Sequence, residues 1–290
     1  MILFYNIRKI LTGETMKRVW ENIILPIFKH QNIKSIVEIG SEKGINTKNI
    51  LEYCMENGGE LTSIDPEPMF DASALEKEYE GHFKIYKTLS LESLPLLEGY
   101  DCILVDGDHN WYTVYNELQC INSKFNQDNF PVVFLHDASW PYGRRDAYYN
   151  PDDIPEEYQN EYIKVISDEE CEQLEVNSLK TPLYKAKEEN TPKNGVLTAI
   201  EDFIDDCELD LQLHYLPIFY GIAILHAKDD DLFEYIENII RDNDIMAYVD
   251  EFYIRRILDC EDFIDELKKE NQQKDAEISN LKQKLDEISS

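Results

Sequence analysis

Paired cysteines are missing from this sequence. Cys54, Cys102, Cys120, Cys171, Cys207 and Cys260 are scattered, with no C-x-x-C among them. That excludes a zinc ribbon or a disulfide scaffold and implies a reducing, cytoplasmic setting. No apolar run approaches the ~20 residues needed to span a bilayer, so no transmembrane segment is expected. The apolar start, Met1-Ile-Leu-Phe-Tyr-Asn-Ile-Arg8, lacks the basic region and small-residue cleavage site of a signal peptide. Basic residues are scarce: 28 Lys and Arg stand against 59 Asp and Glu, a formal charge of −31. Such a field repels a phosphate backbone and argues against nucleic acid as a partner. There is also no G-x-G-x-x-G, which a nicotinamide-dependent enzyme built on a glycine turn would carry.

What is present is an alternation of short apolar runs with helical periodicity. A helix is expected over residues 14–30, with Val19, Ile23, Ile24 and Phe28 on one side and Pro26 kinking or ending it. Strands are expected at 35–40, 61–65, 83–88, 100–106 and 131–136. Helices are expected between them, around 46–57, 71–79 and 112–125. Alternating strands and helices imply a parallel sheet covered on both faces. Ligands in such sheets bind outside the carboxyl ends of the strands, so Gly40, Asp65, Thr88 to Ser90, Asp106 and Asp137 carry the interest. The pattern dissolves over 138–194, a segment read as a lid or insertion with a short strand near Ile163–Ile166. It returns as a helix at 195–207 and two runs, 211–216 and 220–227, spaced as an antiparallel hairpin. Residues 229–260 read as helical. The domain plan is therefore an N-terminal helical segment (1–34), an α/β domain (35–228), a helical extension (229–260) and a coiled coil (261–290).

Val37-Glu-Ile-Gly-Ser-Glu-Lys-Gly44 follows a strand and opens a helix, and Gly40 lets a ligand approach the backbone there. Asp65 ends the second strand at the spacing of an acid that accepts both ribose hydroxyls of an adenosine. Its other reading is a helix N-cap. Asp106-Gly-Asp-His109 and His136-Asp137 end two neighbouring strands, so each delivers an acid and an imidazole to one cleft. His109 and His136 are the candidates for general base, because imidazole titrates near neutral pH. His109 is preferred, since it lies just past a strand end. Trp140, Tyr142, Arg144 and Arg145, beyond the second acid, have the chemistry to stack on a ring and grip an anionic group. Their alternatives are a lid that packs over the cofactor without touching substrate and arginines that pair with Asp146 or Asp152.

Taken together, Val37–Gly44, Ser63–Pro66, Asp101–Asp106 and the strand at Val132 resemble the motifs of class I S-adenosylmethionine-dependent methyltransferases. More narrowly, Asp106–His109 and His136-Asp137 resemble the group that includes macrocin O-methyltransferase and cephalosporin hydroxylase-like proteins. The resemblance covers about residues 33–227. It implies a Rossmann-like three-layer fold and a cofactor set of Glu38, Gly40, Ser41, Gly44, Asp65, Ser90 and Asp106. It also implies a divalent cation, Mg²⁺ or Mn²⁺, on Asp106, His136 and Asp137, with Asp108 a further candidate. The family often has an acid or amide after the second-strand Asp. Here Ala138 follows and His136 precedes, which brings an imidazole into the set and favours a softer ion. The activity implied is O-methylation of a sugar hydroxyl or a sugar-bearing small molecule. The rival reading is a non-catalytic Rossmann-like scaffold whose coiled coil is its purpose.

That coiled coil is read from a heptad: Ile264, Leu267, Asn271, Lys274, Ile278, Leu281, Leu285 and Ile288, alternating three and four apart. Such a seam buries against another helix and implies a homodimer.

Overall fold

A computed structural model describes residues 19–164, 184–218 and 220–241, with the single residues Lys268, Lys274 and Ile278. Residues Glu14–Ile240 make one compact unit. The expected extension beyond residue 241 and the heptad at 261–290 lie outside the described residues, those three positions apart.

Seven strands form the main sheet: β1 (Ser35–Ile39), β2 (Glu60–Ile64), β3 (Phe83–Tyr86), β4 (Cys102–Val105), β5 (Val132–His136), β9 (Leu211–Leu216) and β10 (Ile222–Ala227). Their order is β3-β2-β1-β4-β5-β10-β9. The first five are parallel, and β10 runs antiparallel to β5 and to β9. All side chains of β4 and β5 are buried, as central parallel strands covered on both faces require. Each buried aliphatic or aromatic side chain there contributes about 1.5–3 kcal/mol. The covering helices are α1 (Leu25–Gln31), α2 (Ile45–Asn57), α3 (Ala72–Glu78), the one-turn α4 (Ser90–Ser93), α5 (Trp111–Asn122), α6 (Val196–Asp206) and α7 (Asp230–Arg241). The expected three-layer α/β fold with its antiparallel hairpin is what the chain forms.

Local chemistry sets the ends. Gly58 stops α2 in the left-handed conformation, at φ 67°. The Asp71 and Asn110 side chains cap α3 and α5 by accepting from Ala74 and Thr113 N–H. On α6, Val196, Leu197, Ala199, Ile200 and Phe203 make one buried face, packed beside α5.

Two expectations change. The single helix over 14–30 is, where described, a π-helical turn (Trp20–Ile24) running into α1, with Leu25 N–H reaching the Trp20 carbonyl five residues back. Pro26 has no N–H to continue the regular ladder, so a wider turn precedes it. The described parts of the 138–194 segment also hold more regular structure than the one short strand expected there. They contribute β6 (Ala147–Tyr148), β7 (Tyr162–Lys164) and β8 (Tyr184–Ala186), a small antiparallel sheet in the order β6-β8-β7. β7 overlaps the short strand expected near Ile163–Ile166, whereas β6 and β8, of two and three residues, are too short to leave an alternating pattern.

Candidate active site

The register of the parallel strands builds the site. Ile64, Ile39, Val105 and Leu135 pair across β2, β1, β4 and β5. The next residue of each strand or its extension is Asp65, Gly40, Asp106 and His136. These four therefore share one row at the carboxyl edge, with Asp65 and Asp106 two strand spacings apart, roughly 10 Å. The backbone continues the ladder into that row: Gly40 N–H donates to the Ile64 carbonyl and Asp106 N–H to that of Ile39.

Gly40 is the position that admits no side chain. Its φ is +84°, and a Cβ would stand 2.2 Å from the Asp106 carbonyl oxygen. Gly44, at φ +71°, opens α2 beneath the Phe70 ring, which a Cβ would meet at 2.9 Å. Between them the turn is held by Asp65. Its Oδ2 accepts from Ser41 N–H at 3.0 Å, the Ser41 hydroxyl at 3.1 Å and Glu42 N–H at 2.8 Å, while Oδ1 accepts from Glu67 N–H at 2.8 Å. Asp65 is buried, as is Ser41. Its place at the strand end is the expected one, and its observed work is to fix the glycine turn.

Glu38 is buried behind the same turn. It accepts from Thr47 Oγ1 at 2.7 Å, Asn46 Nδ2 at 3.2 Å and Ser63 Oγ at 3.3 Å. Burial nevertheless pushes its carboxyl up to about 7, with nearby Asp106 adding to the effect. Ser90 is the first residue of α4, so it sits just past β3.

The acids and imidazoles meet as expected. His109 Nε2 lies 2.6 Å from Asp137 Oδ2. His136 Nδ1 lies 3.0 Å from the same Oδ2 and 3.1 Å from Asp106 Oδ1. Burial opposes the charge on both imidazoles, but the carboxylates, Asp137 foremost, outweigh it and raise both above the ordinary range. Burial opposes ionisation of Asp137 too, and His136 and His109 together hold it well below the usual carboxylate range. Asp137 adopts a left-handed backbone at φ 59°, uncommon for a residue with a Cβ, which aims its carboxylate back between the two rings. One oxygen or nitrogen from each of Asp106, His136 and Asp137 falls within 4.8 Å of the others, a donor set that suits a divalent ion. Asp108, in contrast, is turned to its own loop, accepting from Asn110, Thr113 Oγ1 and His109 N–H.

The aromatic and basic candidates divide. Tyr142 stacks on His109 with ring centres 4.7 Å apart, and Trp140 is 77% exposed beside the second acid. The arginines are already engaged: Arg144 makes a two-pronged pair with Glu201, and Arg145 meets Glu189 at 3.2 Å. Arg144 thus ties the lid segment to α6 and Arg145 ties it to Glu189, in place of the pairs with Asp146 or Asp152 that the sequence offered.

Three further residues belong to the site. The Tyr149 ring centre lies 5.7 Å from that of His109. Its phenol is pushed far up by burial, with Asp108, Asp137 and Asp106 adding to the effect. Asp146 is wholly buried and accepts from Trp111 N–H, Gly195 N–H, the Tyr148 hydroxyl and the Asn160 amide, tying the lid to α5 and α6. Glu117 on α5 is wholly buried, and neither carboxyl oxygen has a hydrogen-bond partner among the described residues. Burial pushes it up to about 8, with Ser90 acting against burial and Asp108 adding to it. An acid at 117 amid the buried stripe Trp111, Val114, Leu118 and Ile121 was the signal in the sequence.

Residues 37–138 match the family model described as a methyltransferase domain. The methyltransferase-domain match runs from β1 through β5 and ends just past Asp137, so it contains the whole strand-end row. No curated protein matches the sequence. Among solved structures, the chain is similar to the S-adenosylhomocysteine-bound Podospora anserina methyltransferase PaMTH1. That similarity is 16% identity over 75% of this chain and 80% of the other, with a TM-score of 0.46. It is also similar to the plantazolicin methyltransferase BamL, at 11% identity over 86% and 82% of the two chains, with a TM-score of 0.42.

Proposed function

We propose that the chain is an S-adenosylmethionine-dependent O-methyltransferase. One observation carries the reading: the stretch that matches a methyltransferase domain places Asp65, Gly40, Asp106 and His136 in one row, with Asp137 and His109 against it. The unmet acceptors fit such a cofactor. Among the described residues, Asn46 Oδ1, beside Glu38, is buried without a partner, and Glu117, buried near Asp108, has at most the Ser90 hydroxyl to meet its two oxygens. S-adenosylmethionine brings amine and hydroxyl donors. Glu38, Gly40, Ser41, Gly44, Asp65, Ser90 and Asp106 would hold it, and when bound it supplies an electrophilic methyl group.

The protein's own task is to align an acceptor hydroxyl and take its proton. His109 is placed for that. The same carboxylates that raise His109 favour its doubly protonated form, so it acts as a base only after Nδ1 has lost its proton; Asp137, 2.6 Å from Nε2, then holds the Nε2–H tautomer and leaves the lone pair on Nδ1, an atom with no partner among the described residues. This is the carboxylate–imidazole arrangement of a general base, with Nδ1 as the accepting atom. Asp106, His136 and Asp137 would hold a divalent ion, which when bound polarises the acceptor oxygen. His136 must shed its Nδ1 proton to serve as that ligand. Trp140 and Tyr142 supply aromatic faces of the kind that stack on a sugar ring, the acceptor class we favour. The heptad at 261–290 supports a homodimer.

Calorimetric titration with S-adenosylmethionine tests the core of this reading. Binding in the micromolar range, lost in Asp106→Ala, is expected. No heat at millimolar cofactor would return the chain to the scaffold reading. Adding Mn²⁺ in weak buffer should release protons; no proton release removes His136 from the ion's ligands.

A further inference from the structure

A second group of histidines lies away from the crevice, between the C-terminal hairpin and α7. His214 on β9 and His226 on β10 are both buried. Their contacts run in series. The Ala227 carbonyl faces His226 Nδ1 at 2.7 Å, His226 Nε2 faces His214 Nε2 at 3.2 Å, and His214 Nδ1 faces Glu237 Oε1 at 3.0 Å. Carbonyl, carboxylate and unprotonated imidazole nitrogen are all acceptors, so each contact needs its own proton. Three contacts need three protons, and two neutral imidazoles bring two.

The geometry says what fills the gap. The ring centres are 5.4 Å apart and the planes differ by 16°. The centres are farther apart than the nitrogens by about two ring radii, so the two Nε2 atoms meet nearly head-on. A proton sits on that line. A transition-metal ion sits off it and calls for about four ligands, and no third His, Cys, Asp or Glu ligand atom joins this pair among the described residues.

We propose that the chain Ala227–His226–His214–Glu237 stores one proton beyond those of two neutral imidazoles, and that this proton clasps α7 to the C-terminal hairpin. Burial pushes each ring below its ordinary range; Glu237 acts against that at His214, while at His226 the Ala227 carbonyl and Asp229 act against it and the neighbouring His214 ring adds to it. Taken together, the chain keeps the proton because its loss leaves two buried acceptors facing each other at 3.2 Å. Asp229 precedes α7, Arg241 lies one turn beyond Glu237, and the Phe233 ring covers His214 at 4.6 Å. Glu237 is the most exposed member, its side chain 30% accessible, so it is the one that turns to water when the proton leaves. The first half of α7 has a separate hold. Tyr235 stacks on His30 of α1 at 3.8 Å and donates to the Pro26 carbonyl, and Asp231 meets His30 Nε2 at 3.1 Å. Loss of the shared proton therefore loosens the second half of α7. The clasp is closed at low pH and opens as pH rises.

Imidazole nitrogen NMR of the full chain counts the protons. At about pH 7 one ring of the pair is expected to carry protons on both nitrogens. Amide exchange over residues 233–241, corrected for intrinsic rates, should speed up severalfold between about pH 6 and about pH 8.5. Glu237→Gln is the control, since its amide donates to His214 Nδ1 and completes the chain with two protons. That variant should show two neutral rings and pH-independent exchange. Two neutral rings throughout this range in the unmodified chain overturn the proposal, as does exchange no steeper with pH than in Glu237→Gln. A stoichiometric metal lost on His226→Ala also overturns it, by putting an ion where the proton is assigned.

Discussion

Gly40 and Glu117 show how single positions carry the site. At Gly40 a methyl group has nowhere to go: the backbone is left-handed and the Asp106 carbonyl is 2.2 Å from where it would stand. Gly40→Ala is expected to cost about 3 kcal/mol or more in chemical denaturation and to abolish cofactor binding, because β1 and β4 must part to admit it. A loss under 1 kcal/mol would mean the row relaxes freely. Glu117 behaves differently. Its carboxyl is raised to about 8 in the folded chain, so the fold binds its proton more tightly than the unfolded chain does. Stability is then full below the ordinary carboxylate range and is lost as pH rises towards 8. Glu117→Gln removes that loss. The variant should match the parent near pH 4.5 and exceed it by about 3–5 kcal/mol above pH 8, read from urea midpoints at several pH values. Equal pH profiles would show that Glu117 ionises freely. At this scale the sequence was informative where a residue's role follows from its strand-end position. Gly40, Asp106, His109, His136 and Asp137 are found together because register places them there. The tie of Arg144 to Glu201, 57 residues away, follows from the path of the lid and left no local signal.

Among the elements, long ones announce themselves and short ones do not. The parallel strands, α2, α5, α6 and the hairpin have enough length for their periodicity to show, and their observed ends differ from the expected ones by at most three residues. Of the small sheet only β7 was expected, as the short strand near Ile163–Ile166; β6 and β8 had no such signature. The sheet's order rests on Asp146, whose carboxylate collects donors from Trp111, Tyr148, Asn160 and Gly195. Asp146→Ala strands these buried donors at once. We expect a loss of about 3 kcal/mol and protease cleavage within 138–194 while the main sheet survives. Cleavage unchanged from the parent would assign the lid's order to some other contact.

For the whole chain, the acidic balance and the heptad bear on assembly. Deleting residues 261–290 is expected to halve the mass seen by light scattering, since the seam has no partner without a second copy. An unchanged mass would assign association to another surface. The direction of β10 has its own consequence. Because it runs opposite to β5, its first residues reach the crevice, and the Tyr220–Gly221 turn hydrogen-bonds the backbone of Ala138 and Ser139. During synthesis, then, the row assembled by residue 137 faces an open sheet edge until the ribosome has released some ninety residues more. A fragment cut where the methyltransferase-domain match ends would expose the five buried residues of β5 as an unpaired, sticky border, so the hairpin is needed to cover the edge of the sheet.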